Sequence, residues 1–371
     1  MARSLFWMSL LVAVATACSD SEAPEISATA TPRVLVGPAL VWTQTAAGSD
    51  QTCSTLAYDV ASGATIILSE ELCAITVAGS EALAVSGLPG AASIVGIASS
   101  TGQIRPITTD RGYVFGVAVS PDQRSAAFGW AATGERDAPS ELRVVDLASG
   151  AQRTVASFAN VSGSGTVVGQ PAPTAWLTDG SGFAFRYDAN HGPVHYTGVA
   201  YMDGNLIVNE RIWAAHMSPD AERVAYDGYT TTGCQVTPGQ RMRIVELVTG
   251  TETAAVESPS GGMIIEGWSP GGDELLYRQY DTQPAEPGDC VPKFVPDSER
   301  WLILSAGGGP PLPVDDLDAL RREWYGDRLV DVGCDTEDEW GHCPSLEEHV
   351  LRLNGQEIAR FPHIEVVGWI D

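Results

Sequence analysis

The chain has 371 residues, with 21 Lys and Arg against 47 Asp and Glu, a formal charge of −26, and Lys293 as its one lysine. That balance excludes nucleic-acid binding, because a phosphate footprint needs clustered cations. With 39 Gly, 23 Pro, 44% hydrophobic and 18% charged residues, the composition is that of a turn-rich globular protein and not a disordered one.

Residues 1–17 hold Arg3, an apolar run from Leu5 to Ala15 and small residues up to Ala17. This is the make-up of a secretory signal peptide, its apolar stretch too short to cross a bilayer. Ala15-Thr16-Ala17-Cys18 resembles the lipobox of bacterial lipoproteins, with Ala15 where that motif prefers Leu. The resemblance implies acylation of Cys18 and a lipid anchor in a bacterial cell envelope. Ser19, in place of Asp after the cysteine, resembles the outer-membrane class. The alternative is ordinary cleavage after Ala17, leaving Cys18 a free thiol. Residues 18–32 are small, polar and Pro-containing, a flexible tether, so that 33–371 remain for the folded part.

Two hairpin signatures recur after residue 33. The first is an apolar strand, a tight turn and a second strand: Ser120-Pro121-Asp122 before Phe128, Thr178-Asp179-Gly180 before Phe183, Ser218-Pro219-Asp220 before Val224, Ser269-Pro270-Gly271 before Leu275, and Trp324-Tyr325-Gly326-Asp327 before Val330. Pro with Asp or Gly makes such turns, and apolarity at every second residue makes the flanking strands. The second is a hairpin closed by glycine, at Gly63, Gly102, Gly150, Gly204, Gly250, Gly307 and Gly355, which recur every 39 to 58 residues. Two hairpins in each period make four strands, the unit of a propeller blade. The second unit keeps just its second hairpin clearly. Asp315–Arg322 has helical spacing of Leu317, Leu320 and Trp324, and is read as a short turn leading into a strand.

These units resemble the WD-like repeats of the TolB-type β-propellers over residues 33–371. The resemblance implies an all-β, seven-bladed propeller of four-stranded antiparallel blades, with six or eight blades as alternatives. It implies binding or assembly in the envelope without naming a partner. Ring closure follows from the ends. Residues 364–369 echo Ile264-Ile265-Glu266-Gly267-Trp268, the first strand of a unit, and no second strand follows them. They are expected to supply the innermost strand of the first blade, beside 39–43.

Gly267-Trp268-Ser269-Pro270-Gly271 spells the G-x-S-x-G of a nucleophile elbow. An elbow turns from strand into helix, whereas strand follows here, and Pro270 has no N–H to offer an oxyanion. No catalytic residue is assigned. His191 and His195 flank Gly192-Pro193, so they are read as loop histidines and not as metal ligands. Asp335, Glu337, Asp338 and Glu339, followed by Trp340 and His342, form a candidate binding loop; it lacks the alternating ligands and glycine of a calcium loop. Trp176, Trp268, Trp324 and Trp369 share one blade position and are read as packing between blades, Trp130 and Trp340 as exposed contacts.

Six cysteines remain beside Cys18, an even number in an exported chain. Blade topology pairs Cys53 with Cys73, Cys334 with Cys343 within one loop, and Cys234 with Cys290 across neighbouring blades. The reading is a lipid-anchored envelope protein presenting its propeller as a protein-binding scaffold, with no metal or cofactor. The alternatives are a small ligand or glycan in the funnel, or a propeller enzyme such as a lyase or glycosidase, which would need two carboxylates about 5–9.5 Å apart.

Overall fold

A computed structural model describes residues 35, 37–45, 53–87, 90–110, 112–133, 139–158, 170–188, 195–212, 214–227, 230–232, 235–237, 241–258, 261–283, 293–295, 298–334 and 348–370. The chain is a seven-bladed β-propeller of antiparallel blades. From the innermost strand outward, blade 1 is His363–Ile370, Ala39–Thr45, Cys53–Asp59 and Ala64–Ser69. Blade 2 is Ala74–Ala78, Glu81–Ser86, Ser93–Ala98 and Ile104–Pro106, so its first hairpin is present although the sequence pattern there is faint. Blade 3 is Tyr113–Val119, Ser125–Ala131, Ser140–Asp146 and Gln152–Phe158; blade 4 is Ala172–Trp176, Gly182–Asp188, His195–Tyr201 and Leu206–Ile212. Blade 5 is Ala214–Met217, Arg223–Asp227, Arg241–Glu246 and Glu252–Glu257; blade 6 is Gly261–Trp268, Glu274–Gln283, Arg300–Ser305 and Leu312–Pro313. Blade 7 follows the same plan from its second position outward, with Val330–Gly333, His349–Leu353 and Gln356–Phe361.

The recurrent turn is built by its serine. Ser120 Oγ donates to Asp122 Oδ1 at 2.6 Å and accepts the Ser125 N–H at 2.9 Å, and Ser218 repeats this with Asp220 and Arg223. The bond from Ser120 holds the Asp122 carboxyl below its ordinary value. The fourth turn residue has positive φ: 58° at Gln123, 70° at Gly180, 56° at Ala221 and 73° at Gly272. Glycine takes that conformation freely, and a residue with a Cβ does so at a cost.

Apolar clusters weld neighbouring blades. Val41 and Ala57 meet Ala82 and Ile97 between blades 1 and 2, and Leu83 and Ile94 meet Phe128 and Val145 between 2 and 3. Leu142 and Val144 meet Phe183 and Phe185 between 3 and 4, and Ala184 and Val199 meet Val224 and Val245 between 4 and 5. Met242 and Ile244 meet Ile265 and Tyr277 between 5 and 6, and Leu351 meets Leu40 and Trp42 between 7 and 1. Indole N–H groups add polar clamps: Trp176 Nε1 donates to the Ala118 carbonyl and Trp268 Nε1 to the His216 carbonyl, each at 2.8 Å.

The ring closes through strand pairing of sequence-distant ends. His363–Ile370 lies antiparallel to Ala39–Thr45, from Ala39↔Ile370 to Thr45↔His363, with a bulge between Val41 and Trp42. Cys53 and Cys73 form a disulfide. Cys334 is also disulfide-bonded, whereas Cys234, Cys290 and Cys343 lie outside the described residues, as do residues 1–34 with Cys18.

Three sequence expectations are corrected. Residues 317–325 are an α-helix, α1 (Leu317–Tyr325), capped by Asp316, whose side chain accepts the Ala319 N–H at 2.9 Å. Trp324 is therefore a half-buried helix residue and not part of an inner strand. Trp130 lies within a strand, packed against the cluster between blades 2 and 3, with the Arg143 guanidinium 3.6 Å from its ring centroid; its neighbour's stem and charge cover it. His195 opens a strand instead of lying in a loop.

Candidate functional site

Among the described residues no apolar cluster joins blade 6 to blade 7. The cause is the pattern of the facing strands. In Val330–Gly333 and His349–Leu353, Val330 and Leu351 face blade 1, while Asp331 and Arg352, directly opposed in register, turn the other way and pair at 3.5 Å. Blade 6 answers likewise: Leu275 and Tyr277 pack towards blade 5, and on the opposite side Glu266 pairs with Arg278. Two sheets whose facing sides each carry an ion pair of their own gain little from packing together, because the charges must be stripped of water to do so.

The result is a cavity of about 770 Å³ between the two blades, in the size range of ligand sites. Glu266, Gly267 and Leu276 of blade 6 form one wall, and residues 329–332 with Arg352 form the opposite one. Asp318, Arg321, Arg322 and Tyr325, one face of α1, form the third. None of the nine residues of α1 is buried, so the helix lines the space without filling it. Tyr325 Oη donates to the Trp268 carbonyl at 3.3 Å, which continues the row of clamps at the inner end of the blades. Burial pushes the Tyr325 phenol up, against the lowering effect of Arg321.

The carboxylates and cations of this cleft do not cancel. Glu266 is held by Arg278 and Asp331 by Arg352. Arg321 lies over the Trp301 ring, 6.0 Å from its centroid, and Arg322 Nε donates to the Asp318 carbonyl at 3.0 Å. Among the described residues neither arginine has a carboxylate partner, in a protein whose net charge is −26.

A second cavity of about 360 Å³ is lined by Thr174, Arg186 and Thr197 of blade 4, His216 and Met217 of blade 5, and Trp268 of blade 6. Thr197 is fully buried, and among the described residues its hydroxyl has no hydrogen-bond partner. Burial holds the His216 imidazole below its ordinary value.

The hydroxyl of the G-x-S-x-G motif is consumed within its turn. Ser269 is 4% exposed, its Oγ donates to Asp273 Oδ1 at 2.8 Å and accepts the Glu274 N–H at 3.1 Å. Both contacts lie within the turn itself and no histidine is among them, so the motif is the blade turn that Pro270 implied. Asp335, Glu337, Asp338, Glu339, Trp340 and His342, with His191, lie outside the described residues. The cleft itself was not anticipated from the sequence; its signal is the charge that Asp331 and Arg352 bring into two otherwise apolar strands, beside the adjacent Arg321 and Arg322.

No helix among the described residues is long and apolar enough to cross a membrane. The fold is similar to several solved structures at low identity. TolB from Acinetobacter baumannii is 18% identical with a TM-score of 0.41, the match covering 77% of this chain and 65% of that one. An oligogalacturonate lyase in complex with manganese is 13% identical with a TM-score of 0.45, over 70% of this chain and 81% of that one. A protein from Lactobacillus plantarum is 13% identical with a TM-score of 0.48, over 90% of this chain and all of that one. The chain thus spans about 65% of the length of the TolB chain it matches. No family model and no curated protein matches it.

Proposed function

We propose that this chain is a lipid-anchored protein of the bacterial cell envelope that presents its propeller as a scaffold for binding another protein. The observation that carries the reading is the open junction: clusters seal the other blade junctions, and the one between blades 6 and 7 keeps a cavity of about 770 Å³ with Tyr325 41% exposed at its wall. A cleft that combines aromatic, apolar and unneutralised arginine side chains suits protein recognition, where Tyr, Trp and Arg carry much of the binding energy. An enzymatic reading is less favoured, because Glu266 and Asp331 are each tied to an arginine and a glycosidase pair must be free to trade protons. A small-ligand reading has one observation in its favour, the buried hydroxyl of Thr197 in the second cavity, unpartnered among the described residues.

The test is site-specific photocrosslinking in intact envelopes. A benzophenone amino acid at Tyr325 should yield a discrete crosslinked protein, and one at Ile67, 55% exposed on the outermost strand of blade 1, should not. Equal or absent crosslinking at both positions defeats the reading. Separately, Cys18→Ser should move the protein from the membrane to the soluble fraction, since acyl chains supply the attachment.

A further inference from the structure

We propose that the cleft receives an extended, acidic segment of the partner, which adds as the innermost strand that blade 7 lacks. This deepens the protein-binding reading and rests on it. Blades 1 to 6 each have an innermost strand, and in blade 7 the sequence position of that strand is taken by α1. The inner edge of Val330–Gly333 is consequently left without a strand neighbour among the described residues.

The register says which groups are free. Asn354 donates its N–H to the Leu329 carbonyl at 2.9 Å, and Asp331 lies opposite Arg352 and Gly333 opposite Val350. Antiparallel alternation then gives Asp331 and Gly333 to the ladder with His349–Leu353, and turns the N–H and C=O of Val330 and Val332 towards the other edge. Neither valine has a backbone hydrogen bond on that edge among the described residues. Both valines line the cavity. A row of unpaired backbone groups about 13 Å long is a template for a further strand, the mode by which peptides extend a sheet.

Charge selects which peptide. The carboxylates at the blade walls are already paired, and Arg321 and Arg322 face the cavity against the single Asp318. An Asp or Glu side chain, or a C-terminal carboxylate, would complete them by charge-assisted hydrogen bonds. Residues alternating with it would meet Leu276 and Leu329, as alternate side chains of a strand point to opposite faces.

The experiment uses the full-length chain and a display library of linear octapeptides. Enriched peptides should be free of Pro, alternate apolar and other residues, and carry Asp or Glu. Arg321→Glu with Arg322→Glu should weaken their binding at least tenfold, and exchanging the peptide's Asp or Glu for Arg should restore it. Binding should slow hydrogen exchange at the Val330 and Val332 amides at least tenfold. N-methylation of alternate peptide amides should abolish binding in one phase and spare it in the other. A library without enrichment, or binders that leave the Val330 and Val332 amides unprotected, overturns strand addition. In that event a crosslink from position 325 preserves the protein-binding reading, and a missing crosslink removes that reading itself.

Discussion

Ending the chain at Phe361 removes the strand His363–Ile370 and tests what holds the ring. That strand contributes Ile364 and Ile370, each 4% exposed, to the clusters on the two sides of blade 1. Burying an isoleucine is worth about 1.5–3 kcal/mol, so the pair accounts for roughly 3–6 kcal/mol before the loss of packing around Leu40 and Trp42 is counted. A folded domain of this kind has about 5–15 kcal/mol in all. The truncate should therefore be largely unfolded or, with the inner edge of Ala39–Thr45 uncovered, self-associated through it. The milder change Ile370→Ala should cost about 2–5 kcal/mol and leave a monomer. Urea unfolding followed by tryptophan fluorescence reads the energies, and light scattering reads the association. A monomeric truncate that melts cooperatively at the wild-type temperature would show that pairing with Ala39–Thr45 does not close the ring.

Other expectations follow from single residues. Because burial holds the His216 pKa below 6.5, the unfolded chain takes up a proton there first; stability is fully present above about pH 6.5 and falls as pH drops towards the folded value. His216→Asn should flatten that part of the pH profile, and urea midpoints at pH 7.5 and 5.5 would show it. Gln123→Gly should stabilise by about 1 kcal/mol, since Gln123 holds φ of 58° on an exposed turn; an unchanged or lower midpoint contradicts the strain. Cys53→Ser with Cys73→Ser, which opens a link between residues 20 apart, should cost about 3 kcal/mol, read as the shift in denaturant midpoint. Ser269→Ala should lower stability by about 1 kcal/mol through the lost turn bonds, and any hydrolase activity abolished by it would restore the elbow reading.

The architecture was legible because each blade repeats the same local chemistry. Ser-Pro-Asp names its own turn through the serine hydroxyl, and the glycine hairpins set the period, so even degenerate copies reinforce one another. Closure was legible because residues 364–369 repeat the apolar pattern of an inner strand, and that strand does pair with Ala39–Thr45. Blade 7 was misread for the same reason that the others were read well. Trp324-Tyr325-Gly326-Asp327 imitates the blade turn, and that register outweighed the local helix signals of Asp316, Leu317 and Leu320. The cleft was harder to see, since it is a failure of packing between strands distant in sequence. Its trace is that Val330–Gly333 and His349–Leu353 place Asp331 and Arg352 on the face turned from blade 1, where Ser125–Ala131 carries buried small and apolar residues on both faces.

Blade 7 is packed against blade 1 by Leu351 and its neighbours and is unsealed towards blade 6. A closed ring with one slack joint behaves like a split washer, stiff everywhere except across the gap, so thermal breathing concentrates there. Strain applied to blade 1 would pass to blade 7 through the cluster around Leu351 and would be taken up at the gap, where among the described residues no apolar cluster carries it on to blade 6. The amides of 330–333 and 349–361 should accordingly exchange ahead of those in blades 2 to 5, and an occupant bridging the gap would stiffen the whole ring by immobilising a single joint.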